Sequence, residues 1–347
     1  MTKVVLAFDS FKGCLSAAEA CDAAERGILS ALPACQVVKL PMSDGGEGLV
    51  DCLASALPLR MVTVNVQGPM GHRVDARYAL SADGTTAYIE MAAASGLTLV
   101  PPAERNPLLA TTYGVGQMLL DAVRRGCRRV VMGLGGSATC DGGQGMVDAL
   151  LPYLPLPLEV TVASDVTNPL YGPTGAAYVF APQKGATPQQ VEELDQRLRE
   201  VARAAEAAGY ASPLLHEHPG AGAAGGLGYA LMAYLHAELC PGIELVLNTL
   251  GFDRCLQDAS LVITGEGSTD RQTLMGKVPW GILQRAKAHR VPVVVMSGSI
   301  RDRELLQQGG FTQLHCINEG DPRPLSELLR PEVARANLTR CASQIVQ

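Results

Sequence analysis

"KVVLAFDS", residues 3–10, is an unbroken apolar run that ends on a carboxylate. That is the pattern of a strand buried on both faces, as in a parallel sheet. The next stretch, "SAAEACDAAERGILSAL" (16–32), changes to helical spacing behind Ser16, which predicts a helix capped by that serine. "CQVVKLP" (35–41) supplies a second strand and completes a β-α-β unit. The C-terminal part is written in the same way. Strands at 260–265, 291–298 and 311–317 alternate with helices at 278–290 and 301–309. Short apolar strands alternating with helices predict a parallel sheet covered on both faces.

The middle of the chain differs. The segment 61–92 alternates apolar and polar residues around "SADGT", which predicts an antiparallel ribbon with a hairpin turn. "PQQVEELDQRLREVARAAEAAG" (188–209) predicts a long helix with Pro188 in its first turn. The strand "RRVVMGLGG" (128–136) suits either part, and "PGAGAAGGLG" (219–228) is the one low-complexity run. The expected fold class is α/β with two domains. Residues 1–64 plus 257–347 form a discontinuous parallel-sheet domain, and residues 65–256 form an inserted mixed α/β domain.

Hydrophobic residues make up 47% of the 347 positions and charged residues 18%, so the chain can bury a core and is not disordered. The net charge of −6 and the lack of a basic stripe argue against a nucleic-acid partner. The cluster "RRGCRR" (124–129) reads as a helix end. "MTKVVLAFDS" reaches Asp9 after five apolar residues, too few for a signal peptide, and no apolar run is long enough to span a bilayer. The ten cysteines include no C-x-x-C. These readings predict a cytoplasmic protein with reduced thiols and no membrane partner; a homo-oligomer stays open.

Glycines and carboxylates meet at five strand exits: "FDSFKG" (8–13), "MSDGGEG" (42–48), "GLGGSATCDGG" (133–143), "ASDVTNP" (163–169) and "TGEGSTD" (264–270). Any one of them is equally an ordinary turn. Their recurrence favours a ligand, because open α/β sheets bind ligands beyond the carboxyl ends of their strands. Glycine lets backbone N–H groups approach an anion, and nearby carboxylates can hold Mg²⁺. Three of the six lysines, Lys12, Lys184 and Lys277, adjoin a glycine, where each offers a point charge to phosphate. There is no Walker A motif, HExxH or GxSxG. "GLGGSA" (133–138) fits the dinucleotide pattern G-x-G-x-x-A, but no strand end follows to carry the ribose carboxylate; Asp148 lies in helical sequence. "HEH" (216–218) reads as a loop rather than a metal site.

"DSFKG", "PMSDGGEG", "NPLLATTYGVG", "GLGGSATCDGG", "SDVTNPLYG", "PQKGA", "PGAGAAGGLG" and "TGEGSTDRQTLMGKVPWG" follow one another in the order seen in bacterial glycerate kinases of the glycerate 2-kinase type. The chain resembles that family from about residue 4 to 300. The resemblance implies ATP-dependent phosphorylation of D-glycerate to 2-phosphoglycerate. It also implies a flavodoxin-like domain joined to a restriction-endonuclease-like one. Two departures stand out. Cys140 stands where the family usually carries Asn. The stretch Gln144 to Ser164, with Pro152, Pro155 and Pro157, is shorter than usual, which suggests a peripheral helix or hairpin lost from a rim.

Phosphoryl transfer asks a protein mainly for positioning and charge neutralisation. On that chemistry Asp270, or else Asp44, is the expected base, with Lys12 beside it. Asp9, Lys184, Arg271, Lys277, Gly135, Gly136 and Ser137 are the expected contacts to ATP and glycerate. Mg²⁺ is expected on Glu47, Asp165 and Glu266, with Asp44 and Asp270 as further candidates. Three rival readings stand beside this one: phosphorylation at the 3-hydroxyl, a nicotinamide oxidoreductase resting on "GLGGSA", and a non-catalytic sensor of small acids.

Overall fold

The structure, a computed structural model, describes residues 2–46 and 48–346. Its strands, in chain order, are β1 (Lys3–Phe8), β2 (Gln36–Lys39), β3 (Arg60–Gln67), β4 (Arg73–Leu80), β5 (Thr86–Glu90), β6 (Arg129–Gly133), β7 (Glu159–Ala163), β8 (Glu238–Cys240), β9 (Leu261–Gly265), β10 (Ser268–Thr269), β11 (Val293–Ser297), β12 (Ser299–Ile300) and β13 (Gln313–Cys316). The chain divides into two compact units. One comprises Met1–Asp44, Asp51–Leu57 and Ile243–Gln347, the other Gly45–Val50 and Pro58–Gly242.

The first unit holds a five-stranded sheet in the order β13-β11-β9-β1-β2, every neighbour parallel. The apolar run of β1 is buried from Val4 to Phe8 because β1 is flanked on both edges, by β2 and β9. Helix Ala17–Ala31 begins where the sequence predicts. Ser16 accepts the Glu19 N–H and the Glu19 side chain accepts the Ser16 N–H, a complete capping box. Its alanine face, with Ile28, packs with Leu338 and Ala342 of helix Pro331–Ile345. The chain order reverses at β1, which therefore marks the sheet's switch point.

The second unit holds a six-stranded sheet in the order β3-β4-β5-β6-β7-β8. β3, β4 and β5 pair antiparallel, as the alternating pattern predicts, and β5 to β8 run parallel. In the "SADGT" turn, Asp83 accepts the Ser81 hydroxyl and the Thr85 N–H. Tyr78, Ile89, Met132, Val162 and Leu231 sit in the core. Helix Pro188–Ala207 starts on a Thr187–Gln190 capping box and buries Val191, Leu194, Leu198 and Ala202.

Three expectations need correction. A boundary after residue 64 would cut β3, which instead pairs with β4 along its whole length and belongs to the second unit. A boundary at 256 would exclude helices Gly242–Thr249 and Phe252–Leu256 from the first unit. Residues of both are tied to it by Arg285, which bonds Glu244, Asn248 and Asp253. The segment 144–164 is not simply a rim. It supplies the buried face of helix Gln144–Leu150 and the interior strand β7, and only the proline-rich connection 151–158 is largely exposed. In the low-complexity run 219–228, residues 220–228 are buried, Ala224, Gly225 and Gly226 have positive φ, and a Cβ on Gly225 would lie 2.0 Å from the Thr139 carbonyl oxygen. All ten cysteines lie among the described residues and none is in a disulfide. Among those residues no helix is long and apolar enough to cross a membrane.

Candidate active site

In the first unit, the loops leaving β1 and β9 flank the switch point and carry Asp9, Lys12, Glu266, Asp270, Arg271 and Lys277 of the expected residues. The Asp9 N–H donates to Gly265 O at 2.9 Å, and Asp9 Oδ1 accepts the Ser10 N–H at 2.6 Å. Burial pushes the Asp9 carboxyl up to about 7; the charges of Asp44 and Glu266 push the same way, while the Ser10 N–H and Lys12 oppose them. Asp9, Lys12, Asp44 and Glu266 thus form one electrostatic group.

Glu266 is buried and held by hydroxyls. Its Oε1 accepts from Thr273 Oγ1 at 2.7 Å and from Thr269 Oγ1 at 3.4 Å. Thr269 Oγ1 is 2.7 Å from Ser297 Oγ, which also accepts the Glu266 N–H at 3.3 Å. The other carboxylate oxygen, Oε2, lies 3.8 Å from Lys277 Nζ. Burial raises this carboxyl's pKa, and Thr273 and Lys277 oppose the rise. The ladder of β10 and β12 ties the loops after β9 and β11 together around this network. Asp270 caps the turn Arg271–Met275 by accepting the Gln272 N–H at 2.9 Å, and its Oδ2 is 3.6 Å from Arg301. Arg271 is exposed, and its N–H donates to Asp302. Lys277 stands at the N-terminus of helix Val278–Ala288.

Gly265 and Gly267 do different jobs from those their spacing suggests. A Cβ on Gly265 would sit 1.7 Å from Met296 O, so that glycine lets β9 lie against β11 rather than against a ligand. At Gly267 the nearest atom would be 3.6 Å away, an ordinary contact.

In the second unit, Gly135, Gly136 and Ser137 follow β6, and Lys184 meets them. Its Nζ donates to Ser137 Oγ and to Thr139 O, both at 2.7 Å. Lys184 is 3% exposed, and burial pulls its pKa down to about 8. It therefore braces the glycine loop from inside, where a direct charge on phosphate was expected. Asp141, in the same loop, is partly buried and accepts from the Thr112 N–H and hydroxyl, the Gly143 N–H and the Gly145 N–H. Cys140 is buried, its thiol pushed up to about 11, which makes it a packing residue rather than a nucleophile. His216 of "HEH" stacks on Tyr171 with ring centroids 4.5 Å apart, a packing role in a short helical turn.

The expected Mg²⁺ ligands Glu266 and Asp165 belong to different units. Glu266 has both oxygens engaged within the first unit. Asp165, in the second, accepts the Gly242 N–H at 3.0 Å. Glu47 lies outside the described residues. Among the described residues no three His, Cys, Asp or Glu side chains are grouped to hold a metal ion.

The sequence model of the glycerate kinase family matches residues 4–152 and 155–347. The chain belongs to that family. A glycerate kinase of Bacillus subtilis (strain 168) is 44% identical, over 92% of this chain and 91% of the relative. A glycerate 2-kinase of Escherichia coli (strain K12) is 42% identical, over 86% of each. A crystal structure named for glycerate kinase 2 of Salmonella typhimurium LT2 superposes with a TM-score of 0.86 at 40% identity, covering 99% of this chain and 97% of that one.

For this glycerate kinase family member, sequence reasoning found the loops but missed their supports. Thr269, Thr273 and Ser297 hold Glu266, yet a hydroxyl at a strand exit looks like any turn residue. Two of the three did stand inside the quoted motif "TGEGSTDRQT".

Proposed function

We propose that this chain is a cytoplasmic enzyme that transfers the terminal phosphoryl group of ATP to the 2-hydroxyl of D-glycerate, giving ADP and 2-phosphoglycerate. Family membership and the relative named glycerate 2-kinase support the reaction. The observation that carries the chemistry is Asp9, a half-buried carboxylate at the switch point whose pKa is pushed up to about 7 by desolvation and by Asp44. A base poised near working pH suits removal of a hydroxyl proton. Asp270, the first choice from sequence, has Oδ1 committed to its turn and Oδ2 near Arg301, so Asp9 takes the proton in this reading. Lys12 and Lys277 neutralise charge that develops on the transferred group, and Arg271 is placed on an exposed turn to grip phosphate or carboxylate. Mg²⁺ enters as the ion that accompanies ATP; no step is assigned to a resident metal. The strand order of the first unit supports a flavodoxin-like domain. The family resemblance supports a restriction-endonuclease-like second one.

The test is product identity. The purified protein is given D-glycerate and Mg·ATP, and the product is passed to enolase with and without phosphoglycerate mutase. Signal without mutase is expected. Signal only with mutase would move the acceptor to the 3-hydroxyl. No ADP release, together with reduction of NAD by glycerate, would favour the oxidoreductase.

A further inference from the structure

We propose that Ser137 donates a hydrogen bond to an anionic oxygen of a substrate, and that Lys184 is the positioning residue that turns the Ser137 hydroxyl outward. This rests on the kinase reading above and assigns its glycine loop a specific donor. An ammonium group has donors only. When Lys184 Nζ donates to Ser137 Oγ at 2.7 Å, it occupies that oxygen as an acceptor, so the hydroxyl hydrogen must point elsewhere. Among the described residues no acceptor receives it. Ser137 itself is half-buried, and next to it Gly136 is exposed in the left-handed region, with φ +75°. The N–H groups of Gly135 and Gly136 donate to no backbone carbonyl among the described residues. Three donors are thereby available on one short loop at the carboxyl end of a parallel strand, the setting in which backbone nests take anions.

Charge points the same way. Lys184 is buried and makes no salt bridge among the described residues; the charge of Asp141 acts on it from beyond salt-bridge distance and does not offset its burial. An unpaired buried ammonium is costly unless something nearby compensates it. An anion hydrogen-bonded to Ser137 does so through one intervening hydroxyl. Thr139, whose carbonyl takes the second Lys184 bond, has a buried Oγ1 without a hydrogen-bond partner among the described residues. The loop thus has polar capacity that its own atoms do not fill. The competing reading is a simple staple, in which Lys184 only fastens the loop.

The ligand oxygen has two possible sources, a phosphate of ATP or the carboxylate of glycerate, and the experiment separates them. Steady-state constants for both substrates are measured for Ser137→Ala, Ser137→Thr, Lys184→Met and the double variant Ser137→Ala/Lys184→Met, with melting temperatures alongside. Ser137→Ala should raise one KM by about 10- to 100-fold, the worth of a hydrogen bond to a charged group, with a smaller change in kcat. A rise in KM for ATP assigns the phosphate; a rise in KM for glycerate assigns the carboxylate. Ser137→Thr, which keeps the hydroxyl, should recover most of the loss. The double variant should be no worse than the poorer single one, because Lys184 acts through Ser137. If Lys184→Met does not fold, the Ser137 pair decides alone. Unchanged KM values in Ser137→Ala, or losses that simply add in the double variant, would overturn the proposal. A parent protein that releases no ADP would instead overturn the kinase reading.

Discussion

The Thr273 hydroxyl stands between two acidic residues of one motif. It donates to Glu266 Oε1 at 2.7 Å and accepts the Asp270 N–H at 3.2 Å. Thr273→Val keeps the shape and removes both bonds. Leaving a buried carboxylate and an amide short of partners should cost about 1–3 kcal/mol. Thr273→Ser should recover most of it. Urea unfolding of the two variants gives the answer, and equal stability of the valine variant and the parent would show that Glu266 does not depend on this contact.

Gly265 and Gly267 are two residues apart and should respond in opposite ways. At Gly265 a methyl group would fall 1.7 Å from Met296 O, a backbone atom of the neighbouring strand. Gly265→Ala must part β9 from β11, and overpacking of this kind costs about 1–3 kcal/mol or more. Gly267→Ala meets nothing closer than 3.6 Å and should stay within about 0.5 kcal/mol of the parent. Thermal melts of both variants suffice; a harmless Gly265→Ala would mean the strand pair is looser than its register indicates.

Asp141 closes the glycine loop in "CDGG", and its surroundings make it a fastener. Four donors converge on it, three of them backbone N–H groups. In Asp141→Asn, whichever way the amide is turned, its NH₂ faces donors. A loss of about 2 kcal/mol or more is expected, with activity falling in step with the folded fraction. An asparagine variant of normal stability and lost kcat would instead place Asp141 in the chemistry.

What was legible in the sequence is what local pattern encodes. The run 4–8, the Ser16 cap and the Thr187–Pro188 start of the long helix each depend on neighbours a few residues away. Where β3 belongs was not legible, since the alternation that predicts an antiparallel strand does not say where a domain ends. The role of Lys184 was hidden for the same reason. A lysine beside a glycine reads as a solvated loop charge, and the atoms it bonds belong to residues 47 and 45 positions earlier in the chain. Gly265 shows the complementary failure. Its motif suggested close approach, correctly, but the partner is a strand that arrives some thirty residues later in the chain.

Asp9 ties stability and rate to the same proton. Its carboxyl is raised from 3.8 to about 7, first by burial and then by Asp44. A folded-state pKa above the unfolded one means that the folded protein holds the proton more tightly. The stabilisation this gives is fully present below about 3.8 and is lost as pH rises through about 7. Asp9→Asn stays neutral at every pH in that range. Its stability relative to the parent should therefore improve steadily as pH is raised from about 4 to about 8. Catalysis should run the other way. If Asp9 takes the hydroxyl proton, the parent's kcat/KM climbs with pH through about 7, and Asp9→Asn loses at least about 100-fold in kcat. Any residual rate in the variant should lack that limb. The two measurements separate structure from chemistry, because burial alone would produce the stability trend without the rate loss. A variant that gains stability with pH yet turns over within a few-fold of the parent would leave Asp9 a half-buried carboxyl and move the base elsewhere in the loop group.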